Sequence, residues 1–416
     1  MAEHDTTSLL AERNVARAKT IDNLAIFGKP PLFNEKLHVG RPNLCDRDAL
    51  FQRFNEILDR NWLTNAGPVV REFERRIAAL AGVKHCIAMC NATIALEIAI
   101  RALGMSGEVI VPSLSFVATA HALQWQQVTP VFCDVNPTTY TLDPAKVLNM
   151  ITPRTTGIIG VHLWGRACQI DELQEIGKSH ELKILYDAAH AFGCTYKGIP
   201  IGRFGDAEVF SFHATKFLNT FEGGAVVTNN DELAAKVRLM KHFGFAGHDN
   251  VIFIGTNGKM TEFSAAMGLT SLESMEEFRE KNYQNYLQYQ KELESIPGLH
   301  VLPYDVCEKN NYQYVVFSMD ETITSLSRDC LIEILHAENI IARRYFSPGC
   351  HRMEPYRSYF PHAGLLLPET ERIVQGLVTL PTGTAIGLSD IKGICDIIRL
   401  ALTHGREIEQ RLSSLK

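Results

Sequence analysis

Two stretches decide the fold of this chain: Ile184–His190, with the sequence ILYDAAH, and Phe210–Lys216, with the sequence FSFHATK. Asp187 ends an apolar run, which is typical of the carboxyl end of a buried parallel strand. A second apolar run, residues 207–212, ends in a short polar segment that contains Lys216. Ligands of open α/β sheets bind at the carboxyl ends of the strands. The pattern therefore predicts that Asp187 and Lys216 face one pocket.

A lysine and an aspartate in one such pocket have a chemical meaning. Burial lowers the pKa of a lysine, and the neutral amine can form a Schiff base with an aldehyde. An aspartate aimed at a pyridine nitrogen keeps that ring protonated, and pyridoxal 5'-phosphate needs these two protein groups most. A solvated lysine and an aspartate that caps a turn are the alternatives that spacing alone leaves open.

The amino-acid sequences of four motifs resemble those of a known protein family. The segments DAAHAFG (residues 187–193), GD (205–206), FSFHATK (210–216) and EGG (222–224) closely resemble the DegT-type family of pyridoxal-phosphate-dependent sugar aminotransferases. The resemblance extends from about Phe27 to about Ala401. It implies Lys216 as the residue that binds the cofactor aldehyde and Asp187 as the partner of the ring nitrogen. Relatives with histidine at this lysine are dehydratases, so the lysine favours amine transfer.

The order of elements predicts an α/β protein. Apolar runs alternate with segments of helical spacing, which indicates a mainly parallel sheet with helices on both faces. Residues 226–228 are expected to form an edge or neighbouring strand. The resemblance implies an aspartate-aminotransferase-like (type I) fold. We expect an N-terminal arm at 1–35, a large cofactor-binding domain at 36–260, a linking helix or bent pair at 261–295, and a small α+β domain at 296–416.

Composition excludes several classes of protein. Hydrophobic residues make up 46% and charged residues 21% of the 416 residues, as in ordinary globular proteins. The net charge of −6 and the lack of a basic domain argue against nucleic-acid binding. Neither a secretory signal nor a membrane-spanning stretch is expected. The ten cysteines form no framework, and the Cys86–Cys90 spacing lacks a second metal-binding pair, so free thiols and a cytoplasmic location are expected.

Other residues are candidate cofactor contacts. Residues 91–93 (NAT) join a strand to a helix, where backbone N–H groups and a hydroxyl can bind an anion, although an ordinary helix cap has the same pattern. The resemblance implies cofactor contacts for the following residues: Thr93, Ile94 and Ser211 at the phosphate, Phe116 over the ring, His190 at the ring oxygen, and Asn257 or Lys259 reaching the phosphate in the neighbouring subunit of a homodimer.

The substrate follows from the resemblance only. Residues 118–125 and 344–351 look like those of members that aminate C4 of a dTDP-4-keto-6-deoxyhexose with L-glutamate as donor. Tyr345 and His351 are candidate substrate contacts, although either can equally pack the domain interface. Amination at C3 or of a UDP- or GDP-sugar is the alternative within the family. A regulatory protein that binds the cofactor without turnover is the alternative from another class, and the Lys216–Asp187 pair argues against it.

Overall fold

The computed structural model describes residues 19–415 of the chain. In chain order the strands are β1 (Leu37–His38), β2 (His85–Met89), β3 (Glu108–Pro112), β4 (Thr129–Cys133), β5 (Thr155–Val161), β6 (Lys183–Asp187), β7 (Thr195–Tyr196), β8 (Ile199–Pro200), β9 (Ala207–Ser211), β10 (Gly224–Thr228), β11 (Leu299–Val301), β12 (Val315–Met319), β13 (Ile340–Ile341) and β14 (Leu377–Leu380). The helices are α1 (Arg47–Arg60), α2 (Pro68–Ala81), α3 (Ala92–Leu103), α4 (Ala118–Trp125), α5 (Pro144–Met150), α6 (Ile170–Ser179), α7 (Asp231–Met240), α8 (Glu262–Glu273), α9 (Met275–Leu293), α10 (Arg328–Ala337), α11 (Tyr356–Tyr359), α12 (Pro368–Gly376), α13 (Leu388–Thr403) and α14 (Gly405–Leu415).

The central sheet has seven strands in the order β2-β10-β9-β6-β5-β3-β4. All neighbours from β9 to β4 are parallel, whereas β10 is antiparallel to both β9 and β2. The predicted mainly parallel α/β fold is confirmed. The strand expected at residues 226–228 is a neighbouring strand and not an edge, because β2 covers its outer side.

Both faces of this sheet are covered by helices. Side chains alternate along a strand, so Ile184 and Leu185 of β6 point to opposite faces. Ile184 belongs to a core cluster with Phe73 and Ile77 of α2, and Leu185 to a second cluster with Leu96 of α3. Burial on both sides explains the continuous apolar runs of the sequence. Because β5, β6 and β9 are adjacent and parallel, their carboxyl ends meet at one edge of the sheet.

A smaller unit follows in the C-terminal part. β11, β12 and β14 form an antiparallel sheet, and their side chains share a core with those of α10 and α13. Leu24, Leu32 and Phe33 are buried in the same core. The Glu338 carboxylate accepts hydrogen bonds from the backbone N–H groups of Ala25 and Leu32. The described part of the expected arm is therefore a core element of the smaller unit, and residues 1–18 lie outside the described residues.

The expected link between the two units is a bent pair of helices. α8 ends at Glu273 and α9 begins at Met275, so a single residue separates them. Leu269 of α8 and Phe278 of α9 belong to the core of the large sheet, whereas Tyr286 and Leu293 of α9 belong to that of the smaller unit. α9 therefore connects the two cores. The domain boundaries themselves stay predictions.

Two further features bear on the sequence expectations. All ten cysteines are free thiols. Across residues 19–415, none of the helices combines the length and the apolar character that crossing a bilayer requires.

Candidate active site

A cavity of about 340 Å³ lies at the carboxyl edge of the large sheet. The ends of β5, β6 and β9 supply Val161, Asp187 and Ser211 to its wall, and the N-terminus of α3 supplies Thr93. The smaller unit closes one side with Tyr314, Tyr345 and Phe346. Among the predicted site residues, the structure brings these together in the wall: Thr93, Phe116, Asp187, His190, Ser211, Lys216 and Tyr345.

Lys216 lies in the turn between β9 and β10. Its backbone N–H donates to the His213 carbonyl at 2.9 Å, which closes the turn and directs the side chain to the cavity. Burial lowers the pKa of the amine to about 8, although the charge of Asp187 opposes this shift. The amine contacts the Tyr314 hydroxyl at 3.4 Å. About half of the amine is therefore neutral at about pH 8, and the neutral form is the one that acts as a nucleophile.

Asp187 is the last residue of β6 and is buried, with 6% of its surface exposed. The Thr119 hydroxyl donates to its Oδ2 at 2.8 Å, and the backbone N–H of Ala189 donates to Oδ1 at 3.1 Å. A buried carboxylate needs such donors, because without them the charge would be poorly solvated. The carboxylate is thus held in one orientation at the cavity wall.

His190 forms the wall between these two groups and the smaller unit. Its Nδ1 accepts the backbone N–H of Trp164 at 3.2 Å, so Nε2 carries the proton of the neutral ring. Burial, with a smaller contribution from Lys216, holds the pKa of His190 well below its usual value. The ring lies 4.5 Å from that of Tyr314 and is parallel to Phe346 at 5.9 Å. His190 is therefore a neutral donor packed among aromatic rings.

The part of the cavity wall formed by the start of α3 suits an anion. α3 begins there, and its unpaired N–H groups and dipole favour negative charge next to the hydroxyls of Thr93 and Ser211. Gly224 allows a close approach of two backbones, because a Cβ at this position would lie 2.5 Å from the Ala92 nitrogen. The Ile94 N–H is already used, since it donates to the Asn91 side chain at 2.8 Å.

Four predicted site residues lie outside the wall of the cavity: Ile94, Asn257, Lys259 and His351. The Lys259 amine contacts the Asn257 side chain at 2.6 Å, beside the end of β2. His351 is buried, and its ring contacts the Ser113 hydroxyl and the Glu371 carboxylate at 2.6 Å each.

Sequence reasoning missed three members of the wall or its support. Thr119 bonds Asp187, Tyr314 contacts Lys216, and Phe346 stacks on His190. Thr119 lies in the segment 118–125, for which the resemblance implies substrate contacts only. Phe346 lies in the segment 344–351, in which only Tyr345 and His351 are candidates. Tyr314 precedes β12, and no local pattern shows that it reaches the large sheet.

The family is decided by comparison of the whole chain with known proteins. The model of the DegT/DnrJ/EryC1/StrS aminotransferase family matches residues 44–399. The chain belongs to this family. The predicted membership is confirmed, and the protein is a pyridoxal-phosphate-dependent aminotransferase of the type I fold.

Individual relatives cover most of the chain. The dTDP-4-amino-4,6-dideoxy-D-glucose transaminase of Escherichia coli is 34% identical over 355 residues, which are 84% of this chain and 95% of that protein. The GDP-perosamine synthase of Caulobacter vibrioides is 38% identical over 307 residues, 72% of this chain and 82% of that protein. The crystal structure of DesI in the presence of its TDP-sugar product superimposes with a TM-score of 0.91 at 50% identity, covering 95% of this chain and all of that one.

The residues of the cavity fit the cofactor of the family. A flat ring with an aldehyde, a basic nitrogen and a phosphate needs an amine, a carboxylate and an anion site. Lys216, Asp187 and the start of α3 supply these in one cavity. The aromatic and apolar wall between them suits a flat ring.

Proposed function

We propose that this protein transfers an amino group from L-glutamate to a nucleotide-linked keto-deoxysugar. The substrate that we favour is dTDP-4-keto-6-deoxyglucose, and the product is the 4-amino-4,6-dideoxy sugar. The observation that carries the proposal is a buried lysine with a lowered pKa and a hydrogen-bonded aspartate in one cavity. The choice of sugar rests on the names of the Escherichia coli transaminase and of the DesI complex with its TDP-sugar product.

Each wall residue has a proposed role toward the cofactor. Lys216 would bind its aldehyde carbon, Asp187 would face its ring nitrogen, and Phe116 would lie over the ring. His190 would donate to the ring oxygen, since its neutral Nε2 carries a proton. Thr93 and Ser211 would bind the phosphate with free backbone N–H groups of α3. Ile94 would act only indirectly, because its N–H donates to the Asn91 side chain and so stabilises this first turn. Tyr345 remains a candidate substrate contact.

With the cofactor bound, the main task of the protein would be to transfer a proton between the donor and the sugar. When bound, pyridoxal phosphate supplies the electron sink for the carbon that loses its proton. The Lys216 amine would take this proton from the donor and return a proton to the sugar carbon, because burial keeps a large fraction of it neutral near pH 8. Asp187 would keep its negative charge next to the ring nitrogen. His190, Tyr314 and Phe346 would exclude water from the reacting carbon.

We further propose a homodimer with shared sites. Asn257 and Lys259 lie outside the cavity of their own chain, and one of the two would bind the cofactor phosphate of the neighbouring subunit. The adjoining segment of residues 243–254 exposes apolar side chains, and such patches are typical of interfaces. The exposed ones are Phe243, Phe245, Val251, Ile252 and Ile254. Among the described residues that line the cavity there is no arginine, so a cation from a second copy would add to the binding of the anionic substrates.

The neighbouring alternatives are amination at C3 or of a UDP- or GDP-linked sugar. The similarity to a GDP-perosamine synthase favours keeping the GDP-sugar among them. Membership of the aminotransferase family and the intact lysine–aspartate pair argue against a purely regulatory protein. We place the enzyme in the cytoplasm, where its ten free thiols would stay reduced.

One experiment separates these possibilities. The purified protein is incubated with L-glutamate and with 3-keto and 4-keto sugars linked to dTDP, UDP or GDP, and NMR locates the new C–N bond. We expect nitrogen at C4 of the dTDP sugar and none with the Lys216→Ala variant. Nitrogen at C3 would show that the protein is a C3-aminotransferase. Nitrogen on a UDP- or GDP-linked sugar only would show that the dTDP sugar is not its substrate. A visible band that does not bleach with any amino donor would favour the regulator.

A further inference from the structure

A row of three buried oxygen groups ends at the candidate cofactor site. The Ser115 hydroxyl lies 3.0 Å from the Thr119 hydroxyl, which lies 2.8 Å from Asp187 Oδ2. Only 2%, 1% and 6% of the surfaces of Ser115, Thr119 and Asp187 are exposed. Water is therefore largely excluded from these contacts, and the protein itself sets their geometry.

The direction of the hydrogen bonds in this row is fixed by the number of protons. A threonine hydroxyl has one proton, and an ionised carboxylate can only accept. The Thr119 proton therefore goes to Asp187, and the Thr119 oxygen accepts the proton of Ser115. A donor chain of this kind strengthens its last bond, because each hydroxyl polarises the next one.

The local fold explains why these groups meet. Ser115 lies in the segment between β3 and α4, and Thr119 lies in the first turn of α4, so the start of this helix brings the two hydroxyls together. The Cys350 thiol donates to the Ser115 carbonyl at 3.3 Å, which fixes the segment from the other side. α4 thus presents Thr119 to the end of β6.

The second carboxylate oxygen has its own donor. The backbone N–H of Ala189 contacts Oδ1 at 3.1 Å, so each oxygen of Asp187 accepts one bond from the protein. Two donors on different oxygens prevent rotation of the carboxylate and leave acceptor capacity free on the side of the cavity.

We infer that Thr119 is a positioning residue that holds the Asp187 carboxylate toward the cofactor ring nitrogen, and that Ser115 orients the Thr119 proton. This inference rests on the proposed function, in which Asp187 faces that nitrogen. Thr119 itself is not a catalytic residue, because it acts through Asp187. If Thr119 has this role, removing its hydroxyl should weaken binding of a cofactor that has the ring nitrogen. The size of the residue 119 side chain and the cofactor phosphate should have no influence on this effect.

The test measures binding of two cofactors to the apoprotein by spectroscopic titration. One is pyridoxal phosphate and the other is 1-deazapyridoxal phosphate, in which a C–H group replaces the ring nitrogen. Thr119→Val keeps the shape and removes the hydroxyl, and Thr119→Ser keeps the hydroxyl. We expect Thr119→Val to bind the natural cofactor about tenfold more weakly and the deaza analogue as tightly as the wild type does. Thr119→Ser should bind both within about twofold of the wild type.

Two further variants separate the possible failures. Asp187→Asn should lose most of the preference for the natural cofactor. If it keeps the preference, the proposed role of Asp187 is wrong. If Asp187→Asn loses the preference and Thr119→Val keeps it, the role of Thr119 is wrong while that of Asp187 stands. Equal weakening of both cofactors in Thr119→Val would also contradict the inference, since it indicates a general structural effect. Thr270→Val serves as the control for such effects, because it removes a buried hydroxyl outside the cavity wall that donates to the Ala266 carbonyl and accepts from Arg53.

Discussion

The amine of Lys216 lies 3.4 Å from the hydroxyl of Tyr314, so the two residues join the large sheet to the smaller unit inside the candidate active site. Tyr314 directly precedes β12, and Lys216 lies in the turn after β9. The amine is thereby held among aromatic rings, where burial lowers its pKa.

Replacement of this lysine tests the proposed chemistry. Lys216→Ala should lower turnover by about a thousandfold or more, because it removes the group that moves the proton. Pyridoxal phosphate should still bind through the contacts of Thr93 and Ser211, which equilibrium dialysis can measure. Lys183→Ala, at an exposed lysine that begins β6, is the control and should keep full activity. Full activity of Lys216→Ala would rule out the assignment.

The lowered pKa of Lys216 predicts a pH dependence of stability. The pKa of the amine is about 8 in the folded protein and about 10.5 in the unfolded chain. Between these values the unfolded chain binds the proton and the folded protein does not, so stability rises with pH in this window. Below about pH 8 both states are protonated, and the full penalty of the buried charge is present.

Urea unfolding of the apoprotein between about pH 8 and about pH 10.5 measures this effect against Lys216→Met, which cannot carry the charge. The wild type should gain up to about 3 kcal/mol relative to the variant across the window. If the difference in unfolding free energy between the wild type and Lys216→Met does not change with pH, the amine has the same pKa in the folded and the unfolded protein, which would contradict the prediction.

Asp187→Asn should reduce kcat far more than it raises KM, because it removes the charge proposed to act on the ring nitrogen. The side chain keeps its size, and thermal unfolding checks that the buried position tolerates the amide. Steady-state kinetics with a saturating keto-sugar measures the two constants. A kcat equal to that of the wild type would count against the role of Asp187.

His351 is predicted to stabilise the smaller unit's contact with the large sheet, and not to bind substrate. Its ring joins Ser113, which follows β3, to Glu371 of α12. His351→Ala should therefore lower the free energy of unfolding by about 2 kcal/mol, since one buried and one partly buried hydrogen bond are lost. Denaturant unfolding of the wild type and the variant measures this loss of free energy. Unchanged stability together with a raised KM for the sugar would instead make His351 a substrate contact.

Mixed dimers test the sharing of sites between subunits. Lys216→Ala chains and Asn257→Ala/Lys259→Ala chains should each be impaired alone. If residues 257 and 259 act in the neighbouring subunit, a mixed dimer carries both lesions in one site and leaves the other intact. Equal mixing should then restore about a quarter of the wild-type activity, because half of the dimers are mixed. Absence of any recovery after verified subunit exchange would contradict the shared site.

Much of this arrangement could be predicted from the sequence because the signals are local. Asp187 and Lys216 end apolar runs, and strands buried on both faces require such runs. The antiparallel position of β10 inside the sheet could not be seen, because a five-residue apolar run has no direction. Likewise, the burial of Leu24 and Phe33 in the smaller unit depends on Glu338, more than 300 residues away, which binds the backbone of this segment.

Within the candidate site, the sequence likewise predicts the residues with local signals and misses those that depend on long-range packing. Sequence spacing predicted which residues follow the strands, and the structure brings these together. It did not predict Tyr314 or Phe346, because their approach to His190 depends on how the smaller unit packs. The sequence leaves His351 open between a substrate contact and a residue that packs the domain interface, and in the structure its ring contacts Ser113 and Glu371.

The most direct test of the account is to locate the cofactor on the chain. The yellow holoenzyme is reduced with borohydride, digested and mapped by mass spectrometry. We predict that the mass of the reduced cofactor is found on the peptide that contains Lys216, and that glutamate added before the borohydride prevents this labelling. Labelling of a different lysine, or none at all in protein that retains the cofactor, would contradict the account.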